Sequence, residues 1–173
     1  MNHLLTIHES DIYPEEKDSN PEDFNLRHAA RAIVLNTKGE VALLKVNTYG
    51  YHKLPGGGVE SGEDMELALE RELLEEIGCR AEVIGEVGEI IEYRDKWSLK
   101  QISHCYLAKQ IGVSQSPSFT QSEIDEGFEI VWANTIDTAI DLLEQDQPQN
   151  YDGLFIQRRD TQLLKAARRL VEN

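Results

Sequence analysis

Disulfide cross-links have little place in this sequence. It holds two cysteines, Cys79 and Cys105, in 173 residues, whereas small secreted domains that depend on cross-links usually carry more. Cys79 closes a helical pattern and Cys105 lies in a strand-like run, so both are expected as reduced, buried thiols. Long apolar runs are missing too, and no stretch approaches the roughly 18 residues that a membrane span needs. The start, MNHLLTIHESDIY, lacks both a basic opening and an apolar run. No signal peptide is expected, and the cytoplasm is the expected compartment. Positive charge is scarce: 17 Lys and Arg face 32 Asp and Glu, a net charge of −15. Such a surface repels polyanions, which argues against nucleic acid or membrane as partners. An anionic substrate would meet the same repulsion, and a bound cation is the usual remedy.

The length suits one domain with a core that needs no covalent staple, and the 40% hydrophobic content is ordinary for a globular chain. Residues 1–23 read as an arm, with a short strand at 3–8 and then an acidic loop. Residues 24–173 read as the single domain. Within it, RHAARAIVL at 27–35 and EVALLKV at 40–46 read as strands joined by the turn Asn36-Thr37-Lys38-Gly39, an expected hairpin. Two long strands are expected at 81–93 and 97–108, a long polar loop at 112–125, and a short strand at 128–133. A helix is expected at 135–145, capped by Asn134 or Thr135, and a last helix at 160–171. The cations near that last helix are expected to neutralise its end or acidic neighbours. Strands precede, separate and follow helices, so the expected fold is α/β, with helices on the faces of a mixed sheet.

The densest chemistry lies at 56–79, GGGVESGEDMELALERELLEEIGC. A helix is expected from about Glu63 to Ile77, with Ser61 as N-cap, Asp64 in a variant of the capping box, and Gly78 at the left-handed C-cap. Glu72, Glu75 and Glu76 stand at i, i+3, i+4 and share about 100° of arc. Leu69, Leu73 and Ile77 form one apolar flank, with Leu67 and Leu74 on the far side, so the glutamate stripe is expected to stay open. Like charges at that spacing repel by a few tenths of a kcal/mol. A solvated face tolerates this, and so does a site for a hard divalent cation held by oxygens. The run Gly56-Gly57-Gly58 lets backbone approach a ligand closely, and it also suits a plain turn. Arg71 is either a surface charge or a guanidinium that orients a neighbouring carboxylate.

Taken together the spacing is far more specific. Gly57, Glu63 and the run Arg71-Glu72-Leu73-Leu74-Glu75-Glu76-Ile77-Gly78-Cys79 match the Nudix box at every defined position, so the chain resembles the Nudix (MutT-related) hydrolases. The flanking Leu54-Pro55-Gly56-Gly57 and Trp132 extend the likeness over about 24–145. One departure is His52, where many relatives carry tryptophan. The resemblance implies an α/β/α sandwich. It implies cleavage of a diphosphate linkage in a nucleoside diphosphate derivative, either a nucleoside triphosphate or a nucleotide sugar, with Mg2+ or Mn2+. It assigns the metal to Glu72, Glu75, Glu76 and the Gly57 carbonyl, and it gives Arg71 and Glu63 the task of holding loop and helix. Glu72 or a loop carboxylate would be the base, with Glu126 preferred to Glu123.

For the substrate itself, Arg27 and Arg31 share a strand face and would reach phosphates or a base edge. Tyr49, Tyr51, Tyr93 and Trp97 are stacking candidates, of which Tyr93 is preferred. A Nudix-fold nucleotide-binding regulatory module without turnover is the alternative. An isoprenoid isomerase would want a reactive cysteine, and an RNA decapping role a basic surface. The N-terminal arm leaves a homodimer open.

Overall fold

The computed structural model describes residues 1–171, apart from the Pro21 side chain. The last two residues of the expected domain, 172 and 173, lie outside the described residues. The chain runs β1 (His3–Ile7), α1 (Glu9–Ile12), β2 (Asn25–Leu35), β3 (Val41–Val46), β4 (Tyr51–Lys53), β5 (Gly56–Gly58), α2 (Met65–Ile77), β6 (Arg80–Arg94), β7 (Leu99–Ile111), α3 (Gln121–Asp125), β8 (Phe128–Ala133), α4 (Ile136–Gln145) and α5 (Tyr151–Val171).

The strands form one mixed sheet in the order β1-β6-β7-β2-β3-β4, with β5 on β2 and β8 on β3. β6 and β7 make the long antiparallel pair. β2 runs parallel to β7, with Arg31 opposite Cys105. The expected β2–β3 hairpin is confined to its turn: among the described residues the two strands pair at Leu35 and Val41 alone. Beyond that point β5 takes the free edge of β2, setting Gly56, Gly57 and Gly58 opposite Arg31, Ala30 and Ala29. β3 instead pairs with β4 and β8. This exchange is what carries the glycine run into the middle of the sheet.

Strand alternation sorts side chains to two faces. On one face Ala30, Ala32 and Val34 pack with Ala68, Leu69, Leu73 and Ile77 of α2. On the other, Ile33 joins Leu43, Leu54 and Ile90 beneath Ile140, Leu143, Phe155 and Leu163 of α4 and α5. Helices therefore cover both faces of the mixed sheet. α5 starts nine residues before its expected start at 160, because Phe155, Arg159 and Leu163 keep one buried stripe.

The N-terminal segment joins the body. β1 lies parallel to β6, with Ile7 opposite Glu92. Buried Glu9 accepts from the Tyr151 hydroxyl and from the Asp95 N–H. Both cysteines are free and buried, and burial pushes the Cys79 thiol up to about 11. Among the described residues no helix is long and apolar enough to cross a membrane.

Candidate functional site

The site forms where β5 meets α2. The helix begins two residues later than expected, at Met65, with Asp64 in place of Ser61 as N-cap, accepting from the Leu67 N–H. Glu63 stays outside the helix because its carboxylate has other partners, the Glu60 N–H and Arg71. At the other end Gly78 adopts φ 63°. A Cβ there would lie 2.0 Å from the Gln115 carbonyl oxygen, so glycine is required both for the left-handed turn and for the passing chain. The polar segment after β7 is tied down here, since Gln115 N–H donates to Gly78 O and Ser118 N–H to Glu75 O.

Arg71 is the hub. Its Nε and Nη2 donate to the two Glu63 oxygens at 2.8 and 3.0 Å. Its Nη1 reaches Glu72 at 2.8 Å and Glu75 at 3.2 Å, and Nη2 also holds the Gly58 carbonyl at 3.0 Å. One planar guanidinium thus ties the pre-helix turn, two helix carboxylates and the glycine run together, as its fork of donors permits. The Arg71 hydrogen bonds lower the Glu63 carboxyl to about 2, and Glu63 in turn raises Arg71.

Gly57 faces Glu72 so closely that a Cβ would lie 2.4 Å from its Oε1. The carboxylate can sit there only because the position is bare. Glu76 corrects the expectation of an open stripe. It is 2% exposed, it accepts from the Gly56 N–H at 2.6 Å, and it pairs with Lys53 at 2.8 Å. Burial raises its pKa, and Lys53 opposes that shift. Leu67 is another correction: it is exposed, so α2 is buried mainly through its Leu69–Leu73–Ile77 flank. Among the described residues no three acidic, imidazole or thiol groups converge as metal ligands. The geometry gives the reason, since Arg71 stands between Glu63, Glu72 and Glu75 while Lys53 holds Glu76. The donor chemistry still fits a hard cation: Glu72 lies against Gly57, whose bare Cα leaves its backbone approachable, and Glu75 shares the same guanidinium nitrogen.

Beside the glycines, between β2, β7 and α5, lies a cavity of about 420 Å3. Arg27 and Arg31 both line it, as do Lys53, Gly57, Arg94, Trp97 and Arg159. Arg31 donates to the Gly56 carbonyl at 2.9 Å and to Ser103 Oγ at 3.4 Å. Burial lowers its pKa to about 10. Behind it sits an ion network. Arg159 binds Asp160 at 2.7 Å and Glu92 at 3.2 Å, while Arg94 binds Glu92 and Asp152, both at 2.7 Å. Burial would raise Glu92, yet Arg159 and Arg94 outweigh it and hold the carboxyl at about 2. Asp160 also accepts from the Leu54 N–H, which positions the chain entering the glycine run.

One expected residue stands elsewhere. Tyr93 stacks on His8 and contacts Phe24. Strand alternation turns it away from Glu92 and Arg94 and so away from the cavity. Glu126 caps the end of α3 and accepts from Ser122 Oγ. Its charge acts on Tyr51 together with Asp152 and Arg159, which line the cavity. His52 is buried and hydrogen-bonded to Asp146 through its ring and its N–H. It packs β4 against the end of α4. The residues that sequence reasoning missed are Lys53, Glu92, Arg94, Arg159 and Asp160. A charge on the apolar stripe between Phe155 and Leu163 was the readable signal for Arg159.

A NUDIX domain model matches residues 25–152, and the chain belongs to that family, whose members generally use divalent metal ions. It is 36% identical over 74 residues to an RNA pyrophosphohydrolase of Wolbachia pipientis subsp. Culex pipiens, spanning 42% of this chain and 46% of that protein. It is 41% identical over 59 residues to a putative 8-oxo-dGTP diphosphatase of Bacillus subtilis, spanning 34% and 40%. The chain thus spans less than half the length of these curated relatives. A crystal structure of a MutT protein from Methanosarcina mazei Go1 shares the fold, with TM-score 0.61, 16% identity, and coverage of 87% of this chain and 99% of that one.

Proposed function

We propose that this protein is a hydrolase that cleaves the diphosphate linkage of a nucleoside diphosphate derivative with the help of Mg2+ or Mn2+. The observation that carries the reading is the Arg71 clamp, whose Nη1 holds both Glu75 and Glu72, with Glu72 set against the bare Cα of Gly57. Glu72, Glu75 and the Gly57 carbonyl would hold the cation, and Glu76 joins them only by giving up Lys53. Bound there, the ion supplies charge neutralisation at the phosphoryl oxygens and a lower pKa for a coordinated water.

The chain's own residues do the rest. Arg71 and Glu63 fix the glycine run against the helix, so the carboxylates keep their spacing. Glu72, held beside Gly57, is the carboxylate best suited to accept the proton of the attacking water, with Glu126 the loop carboxylate that could take its place. The new bond forms between water oxygen and phosphorus, and the bridging phosphoanhydride P–O bond breaks in line with it. Arg27 and Arg31 offer cations to the phosphates in an otherwise acidic protein. Two relatives are named as an RNA pyrophosphohydrolase and a putative 8-oxo-dGTP diphosphatase, which supports a nucleotide substrate without choosing one.

The test is a panel of nucleoside triphosphates, oxidised dGTP, ADP-ribose and dinucleoside polyphosphates with Mg2+ or Mn2+, assayed for phosphate release and mononucleotide formation. Glu75→Gln should lower turnover by about 100-fold or more. Its Tm should hardly move, because a part-exposed pair at 3.2 Å contributes only a few tenths of a kcal/mol. Near-normal turnover in Glu75→Gln would remove the metal assignment. One observation favours the second reading, a nucleotide-binding regulatory module: Arg71 and Lys53 already satisfy the carboxylates. Nucleotide binding without turnover of any panel member would select it.

A further inference from the structure

The carboxylates around the glycine run are neutralised in two different ways. Arg71 is bound fast. It donates to Glu63, Glu72, Glu75 and the Gly58 carbonyl, and a guanidinium fork with that many fixed partners gives none of them up easily. Lys53 is bound at one point. Its Nζ pairs with Glu76 Oε1 at 2.8 Å, and among the described residues no other oxygen accepts from it. Its second contact is the face of the Phe128 ring, with Nζ 4.9 Å from the ring centroid. An ammonium on a four-carbon stem is a movable point charge.

The pair they make is nearly dry. The side chains of Lys53 and Glu76 are 13% and 3% exposed. Glu76 is anchored through its other oxygen, Oε2, by the Gly56 N–H at 2.6 Å, so Oε1 is the oxygen whose partner can change. A carboxylate this buried cannot lose one cation without gaining another. Glu72, one turn earlier on α2, acts on Glu76 as a like charge. The ammonium at Oε1 neutralises Glu76 alone. A divalent ion between Glu72 and Glu76 neutralises both, and their oxygens suit a hard cation. The ammonium and such an ion cannot share Oε1, because two cations against one buried oxygen repel strongly. The Phe128 ring gives the displaced ammonium a place to stay.

We propose that Lys53 is a built-in competitor of the metal: it holds Glu76 until a divalent cation arrives, and Glu76 becomes a ligand only when Lys53 turns away. The proposal rests on the hydrolase reading above. It makes Lys53 a positioning residue that acts through Glu76, and it divides the glutamates into two groups. Glu72 and Glu75 are available to a cation while Lys53 stays in place. Glu76 is added only by exchanging one buried cation for another. Metal affinity is therefore set in part by a residue of β4, outside the helix that carries the carboxylates.

Three measurements test it, all without nucleotide. In the first, Mn2+ binding is followed by calorimetry at pH 8 for the wild type, Lys53→Met and Lys53→Arg. Lys53→Met should bind Mn2+ about 10-fold more tightly, the scale of one competing charge removed from a buried oxygen, while Lys53→Arg should show no gain. In the second, the comparison is repeated in a Glu76→Gln background, where Lys53→Met should alter Mn2+ affinity by less than about 2-fold. In the third, the side-chain resonances of Lys53, assigned by their loss in Lys53→Arg, are followed by NMR as Mg2+ is added to the wild type. They should shift as the metal binds, and this titration decides the matter if Lys53→Met does not fold. Lys53→Met binding no tighter than the wild type, an equal gain in the Glu76→Gln background, or Lys53 resonances indifferent to bound Mg2+ overturns the proposal. Mn2+ binding that Glu75→Gln weakens but Lys53→Met leaves unchanged removes the competitor and spares the hydrolase reading. Absence of Mn2+ binding in the wild type and in every variant removes both.

Discussion

Gly57 carries more of the site than its missing side chain suggests. Its backbone has no positive φ to protect, so the demand for glycine comes from Glu72, whose carboxylate occupies the space of a Cβ. Gly57→Ala should therefore fold normally but push Glu72 off Arg71. With a displacement on the scale of 1 Å, turnover should fall by about 100-fold while Tm shifts little. Steady-state kinetics beside a thermal melt checks this, and unchanged kcat would show that Glu72 has room to move. Glu76 shows the same dependence on neighbours. On a helical wheel it belongs to an open acidic stripe, but Lys53 and the Gly56 N–H draw it inward until it is almost fully buried.

At the scale of the element, α2 shows where local rules succeed and where they slip. Gly78 was readable as its end, because only a residue tolerant of left-handed φ suits that position. Its start lies two residues beyond the one the local pattern predicts. Ser61 and Asp64 are both good caps, and the choice fell to Asp64 because Arg71 holds Glu63 out of the helix. Asp64→Ala should cost about 1 kcal/mol. For a chain of this length that lowers Tm by about 2–4 °C, with little change in kcat, and calorimetry with an activity assay reads both. Ser61→Ala should lack the effect. The β2–β3 hairpin failed for a related reason. The turn at Asn36 to Gly39 is real, but which strand then occupies the β2 edge is a contest between segments, and β5 takes it.

The whole molecule is held around one charged core. Glu92 is fully buried between Arg94 and Arg159 and connects β6, α5 and the strand bearing Gln101 and Ser103. Its folded pKa, about 2, lies below the ordinary carboxylate value near 4.3. The stability it contributes is therefore present above about pH 4.3 and lost as pH falls through the folded value. Glu92→Gln should destabilise the fold by about 3–5 kcal/mol at neutral pH, because two buried guanidinium groups lose their shared carboxylate. The gap in Tm between wild type and variant should stay constant down to about pH 4.5 and narrow towards pH 2. A pH-independent gap would mean that packing, and not charge, is what the substitution removes.

Local chemistry was enough for much of this protein. Periodicity located most strands and α2, and the spacing from Gly57 to Cys79 identified the family, because those residues lie within one loop and one helix and meet each other through short-range geometry. Arg27 and Arg31 shared a face for the same reason, four residues apart on one strand. Only the tertiary structure decided what the strand faces look onto. Arg159 and Glu92 are 67 residues apart, and Lys53 is 23 residues from Glu76. Nothing in local pattern says that a buried charge on α5 will find its partner on β6. Tyr93 was misplaced on the same ground, since pleat alternation told which residues share its side but not which side faces the cavity. A net charge of −15 describes the surface as a whole, whereas the cationic cavity exists because long-range packing gathers arginines from β2, β6 and α5 into one place.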